Sequence, residues 1–62
     1  MNELPARLVM LTIGEAADAL RVSPKTIQRR IAAGQLSAFR DGRMLRIPQP
    51  EIERYIAERR TA

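Results

Sequence analysis

The sequence contains no cysteine, no histidine and no tryptophan. Without thiols there is no disulfide framework and no thiolate metal site. Without imidazole, the usual zinc ligand and the usual general base are both missing. No apolar run approaches the roughly 20 residues that a membrane span needs, and the N-terminus lacks the basic-then-apolar order of a secretory signal. No nucleophile–base pair and no glycine-rich phosphate loop occurs. Aromatics amount to Phe39 and Tyr55, too few for a platform on which single-stranded bases stack. With 62 residues the chain makes one domain, near the lower limit for an unstapled core. No enzyme, no cofactor, no metal and no membrane partner are expected, and elimination leaves a soluble cytoplasmic protein.

What the chain does have is positive charge in one place. The net charge is +4, and seven basic residues (Arg21, Lys25, Arg29, Arg30, Arg40, Arg43 and Arg46) fall between positions 21 and 46 beside one acid, Asp41. The remainder carries four bases and six acids. A basic centre on a slightly acidic frame is the footprint of a polyanionic partner. The scarcity of aromatics favours duplex over single strand.

The basic centre opens on Ser23 to Gly34, SPKTIQRRIAAG. Ser23 suits an N-cap and Pro24 the first helical position, while Gly34 suits a left-handed C-cap. At about 100° per residue Ile27 and Ile31 share one face with Pro24 beside them. Lys25, Thr26 and Arg29 point the other way, with Gln28 and Arg30 on the flanks. About ten helical residues make a rod of about 15 Å, short enough for a major groove. Taken alone, this is equally a surface helix with a solvated face. Upstream, Thr12 and Glu15 form a capping box. Ile13, Ala16, Ala17 and Leu20 then give an i, i+3, i+4, i+7 stripe whose small centre admits a close neighbour. About three residues separate the two helices, so they must cross steeply, as in a helix-turn-helix. Val22 is expected to plug the gap between them.

After Gly34 the period changes from 3.6 to 2. Leu36 to Arg40 and Arg43 to Ile47 flank Asp41-Gly42, a hairpin signal of the type I′ kind. A two-residue loop there sets Arg40 opposite Arg43, Phe39 opposite Met44 and Leu36 opposite Ile47. Leu36, Ala38, Leu45 and Ile47 face the core, and Arg40 and Arg43 end the same face at the tip. Like charges so placed repel unless phosphates neutralise them. Phe39 and Met44 take the other face, either under the last helix or against a neighbouring molecule. A third helix follows, with Gln49 as cap, Pro50 in its first turn and Ile52, Tyr55 and Ile56 toward the core. Glu51 and Glu53 suit its N-terminus, Arg59 and Arg60 its C-terminus, and Arg54 and Glu58 form a minor pair. Residues 1–10 read as a partly flexible lead-in, with Leu8 to Leu11 either a short edge strand or a hydrophobic approach. Residues 11–60 read as the DNA-binding domain. The fold class is α+β, a small winged helix-turn-helix with a β-hairpin wing and a C-terminal helix.

The run LTIGEAADALRVSPKTIQRRIAAGQLSAFRDGRMLRIP resembles the excisionase-type, MerR-like winged-helix group of bacterial and phage DNA-binding proteins. The resemblance is carried by Leu11-Thr12, Glu15-Ala16-Ala17, Val22-Ser23, Thr26-Ile27, Arg29, Gly34, Leu36 and Arg46-Ile47-Pro48. It implies that the second helix enters the major groove through Lys25, Thr26, Gln28 and Arg29, with Arg30 beside them. It implies wing and phosphate contacts from Arg40 and Arg43, with Ser23 and Arg46 added to that set. Many members carry an aromatic in place of Arg30, which here either reaches a phosphate or lies along the core edge on its aliphatic stem.

MerR-type regulators carry a C-terminal dimerisation helix and an effector domain, and this sequence shows neither. The resemblance therefore implies a stand-alone excisionase, or recombination directionality factor, in the nucleoid of a bacterial host. Such a protein binds direct repeats of double-stranded DNA beside an attachment site, bends them, self-associates there and directs a phage integrase toward excision. A small AlpA-like transcriptional regulator is the alternative. A protein-interaction module is the reading from another class.

Overall fold

A computed structural model of the chain describes residues 9–59, so Leu8, Arg60 and most of the lead-in expected to be partly flexible lie outside the described residues. The elements are β1 (Met10–Leu11), α1 (Ile13–Leu20), α2 (Pro24–Ala32), β2 (Phe39–Asp41), β3 (Met44–Pro48) and α3 (Gln49–Arg59). The strands form one antiparallel sheet in the order β1-β3-β2. Helix, tight turn, helix, hairpin and helix make a small α+β winged helix-turn-helix. Among the described residues no helix is long and apolar enough to cross a membrane.

Local chemistry explains where α1 begins and ends. The Thr12 N–H donates to Glu15 Oε1 at 2.9 Å, and the Glu15 N–H donates to Thr12 Oγ1 at 3.0 Å, completing the capping box. At the other end Arg21 adopts a left-handed conformation (φ 58°, ψ 45°), which lets the Val22 N–H reach the Ala17 carbonyl at 3.0 Å. That conformation turns the chain within three residues and costs a non-glycine residue about 1–2 kcal/mol.

Ala16, Ala17, Ile27, Leu36, Ile47, Ile52 and Tyr55 form the buried core, with Leu11, Ile13, Leu20, Ile31 and Ala38 packed around it. Every helix and the central strand contribute a residue. Three expected core positions fall outside it. Leu45 is only half-buried and lines a surface notch beside Gln28. Val22 does not plug the gap between the helices but is 36% exposed, and Ile56 is 45% exposed. Val22 lies in the turn beside the left-handed Arg21, and α3 buries only Ile52 and Tyr55 in the core.

The hairpin differs from the expected register. Phe39 pairs with Arg46, Arg40 with Leu45 and Asp41 with Met44, so the loop is Gly42-Arg43 instead of Asp41-Gly42. Gly42 has φ 65°, and Arg21 is the one non-glycine described with positive φ. One left-handed residue at the first central position is the type II′ pattern, whereas type I′ needs two. The shift places the only positive φ on glycine and avoids setting Arg40 against Arg43. It changes every partner and preserves both faces, so Ile47 remains buried while Phe39 and Met44 remain outside. Neither of these packs under α3: Phe39 is 49% and Met44 51% exposed. Leu36 and Ala38 precede the strand, which begins only at Phe39.

Toward the C-terminus, Gln49 is the first residue of α3 instead of its cap, and its N–H donates to the Val9 carbonyl at 2.9 Å. Arg54 does more than pair with Glu58 (2.7 Å); it is also gripped by Glu51. The Arg59 guanidinium lies 4.3 Å from the centre of the Tyr55 ring, a cation–π contact.

Arg21→Gly should relieve the turn. After subtracting the larger chain entropy of glycine, the gain is about 0.5–1 kcal/mol. Thermal unfolding followed by circular dichroism should show a midpoint raised by about 2–8 °C.

Candidate nucleic-acid interface

The helix α2 is fixed at both ends by its own sequence. Ser23 Oγ accepts from the Thr26 N–H at 3.1 Å, the Ser23 and Thr26 hydroxyls lie 3.0 Å apart, and Pro24 opens the first turn. At the far end Gly34 has φ 80°, its N–H donates to the Ile31 carbonyl at 3.0 Å, and the Gln35 N–H donates to the Arg30 carbonyl at 2.8 Å. This pair of bonds is a Schellman motif, which stops the helix and satisfies its last carbonyls. Nine residues at 1.5 Å rise give a rod of about 13 Å.

Rotation about that rod is set by Ile27, which is completely buried. Lys25, Gln28 and Arg29 are exposed as a result, while Thr26 and Arg30 are half-buried. Ser23 is exposed, but its hydroxyl is committed to the cap. On the wing, Arg40 and Arg43 are both exposed near the tip. Arg46 is not with them. It is half-buried on the opposite face of β3, across from Phe39, and its Nη1 is enclosed without a hydrogen-bond partner among the described residues.

Helix and wing meet across a notch of about 330 Å³. The start of α1 (Thr12 to Gly14) forms one wall, Gln28 of α2 a second, and Arg43, Met44 and Leu45 of the wing the third. Gln28 and Arg43, which belong to different expected contact sets, therefore border the same space. The α1 N-terminus also reaches it, which the pattern of basic residues does not reveal. Its signal was present in Thr12 and Glu15, which announce a helix start, but not in any charge.

The electrostatics point the same way. Every ion pair among the described residues involves Arg54. Lys25, Arg29, Arg40 and Arg43 thus form no ion pair with a carboxylate among the described residues. Glu51 is held below the usual carboxylate range chiefly by its hydrogen bonds to Arg54, with burial acting in the opposite direction.

Such an arrangement offers a short basic and amide-bearing helix beside a basic hairpin, the parts needed to read base edges and to grip phosphates. A family model described as a helix-turn-helix domain matches residues 10–60. No curated protein and no solved structure matches the chain.

Removing the cap of α2 should be felt by the whole domain. Ser23→Ala is expected to cost about 1 kcal/mol and to lower the thermal midpoint by about 4–8 °C. Calorimetry of the free protein measures this without reference to any ligand.

Proposed function

The chain belongs to the helix-turn-helix domain family of DNA-binding proteins, and on that premise we propose that it acts as an excisionase on duplex DNA. The observation that carries the reading is the notch that Gln28 of α2 and Arg43 of the wing share, with unpaired Lys25, Arg29 and Arg40 nearby. In this reading α2 lies in a major groove. Lys25, Thr26, Gln28 and Arg29 face base edges, and Arg30 reaches the groove margin. Arg40 and Arg43 hold the backbone beside it. Ser23 contributes through the helix start it caps, and Arg46 supports the wing set from the other face. Several copies occupy direct repeats and bend the DNA, so that a phage integrase is directed toward excision. The exposed Phe39 and Met44 provide the contact between neighbouring copies, head to tail.

Two measurements test this. Four to six phosphate contacts give a slope of log affinity against log salt of about −3.5 to −5.5. In the same titrations Arg29→Ala should lose about 1–3 kcal/mol of discrimination at one base position, while Arg43→Ala weakens specific and random duplexes equally. A flat salt response would exclude DNA as the partner, and identical behaviour of the two variants would refute the division between base reading and phosphate anchoring.

The second measurement is a footprint on tandem sites with sedimentation of the free protein. A free monomer that extends its protection site by site is expected. A tight free dimer protecting one palindrome would instead indicate a transcriptional regulator.

A further inference from the structure

The loop Gln35–Ser37 connects α2 to the wing, and it is held from several sides. The Gln35 and Leu36 N–H groups both donate to the Arg30 carbonyl at the end of α2, at 2.8 and 3.3 Å. The Leu36 side chain is buried in the core. The neighbouring backbone groups are taken by α3: Arg54 Nη2 donates to the Gln35 carbonyl at 3.1 Å, and the Ser37 N–H donates to Glu51 Oε1 at 3.4 Å. The two side chains are joined to each other. Arg54 Nε donates to both Glu51 oxygens, at 3.0 and 3.2 Å, and Nη2 closes on Oε1 as well. Glu58 steadies the guanidinium from the far side at 2.7 Å.

This bracket is not what fastens α3, since Ile52 and Tyr55 are buried in the core. Exposed ion pairs add little to stability, and the Arg54 side chain is 41% exposed. Its effect is geometric. Beyond Ser37 the chain enters β2, an edge strand exposed at all three of its residues. The point where the loop leaves the core, together with the pairing of β2 to β3, therefore sets where Arg40 and the turn with Arg43 stand relative to α2.

We infer that the Glu51–Arg54 pair positions the wing for DNA binding, by holding the loop between α2 and β2 at a set distance from the base-reading helix. Both are positioning residues and touch no DNA. The inference rests on the DNA-binding reading above, and it carries an unusual sign. Glu51 is an acid, so by bulk electrostatics its neutralisation should tighten binding to a polyanion. Loss of positioning should loosen it.

The experiment compares wild type, Glu51→Gln, Arg54→Gln, Arg54→Lys and Glu58→Gln on one duplex over a range of salt. Circular dichroism checks that each is folded at the assay temperature. Glu51→Gln and Arg54→Gln should weaken binding by about 2- to 30-fold and make the salt slope shallower by about 1–2. Glu58→Gln leaves both loop contacts in place and should not weaken it. Arg54→Lys keeps the charge but lacks the fork that holds Glu51 and Gln35 together, so it should restore little. In an Arg40→Ala/Arg43→Ala background Glu51→Gln should have no further effect, because no wing contact remains to be placed; a merely unstable protein would lose the same factor in both backgrounds. Binding by Glu51→Gln as tight as wild type, or weakened with an unchanged slope, would overturn the inference. A wild-type slope near zero would instead remove the DNA-binding reading on which it rests.

Discussion

The fold depends on the contact between two alanines and one isoleucine. Ala16 and Ala17 are small enough for α2 to approach α1 closely, and Ile27 is completely enclosed there. Burying an isoleucine contributes about 1.5–3 kcal/mol, comparable with the cost of fixing one or two residues of backbone. A core of this size cannot enforce geometry by mass. It is supplemented at each corner by a backbone device: the Thr12–Glu15 box, the left-handed Arg21, the Ser23 cap, the Gly34 motif and the Gly42 turn. Helix orientation, and with it the outward aspect of Lys25, Gln28 and Arg29, follows from Ile27 facing in.

The Thr12–Glu15 box, the Ser23 cap and the Gly34 motif are what a reader of the sequence can find, whereas the left-handed Arg21 is announced by no residue type. Thr12 and Glu15, or Ser23 and Pro24, act over one helical turn, so residue types at short spacing suffice. The two faces of the hairpin were equally legible, because alternation survives any register shift by an even number. The register itself was not. Asp41-Gly42 and Gly42-Arg43 are adjacent choices of loop, separated only by whether an aspartate must also adopt a positive φ. Burial was least legible at Val22, Phe39, Met44 and Ile56. Each is apolar, but only Ile56 continues a core stripe; Val22 lies in the turn and Phe39 and Met44 on the outer face of the hairpin, and so small a domain has too few elements to cover them. Arg54 presents another limit. Its spacing to Glu51 and Glu58 is visible, whereas its bond to the Gln35 carbonyl spans 19 residues and ends on a group every residue possesses.

Charge is sorted as strictly as hydrophobicity. Glu51 and Glu58 of α3 engage an arginine of the same helix, so Arg54 contributes to architecture while the arginines of α2 and the wing form no ion pair among the described residues. A net charge of +4 therefore understates the potential on one side of the molecule and overstates it on the other. This asymmetry orients an approaching domain before any contact forms.

The Arg30 carbonyl accepts two N–H groups from the segment that follows it, and Gly34 has the backbone conformation that makes this possible. An inserted or deleted residue there would break the motif at the same time as it moved the wing. The separation between the helix and the hairpin is thus a fixed gauge, like the gap of a caliper. Descendants of this sequence can exchange the exposed side chains of α2 without disturbing this gauge. The distance from α2 to the hairpin cannot drift in the same way, so on the proposed DNA-binding reading related target sites should differ in letters far more readily than in spacing.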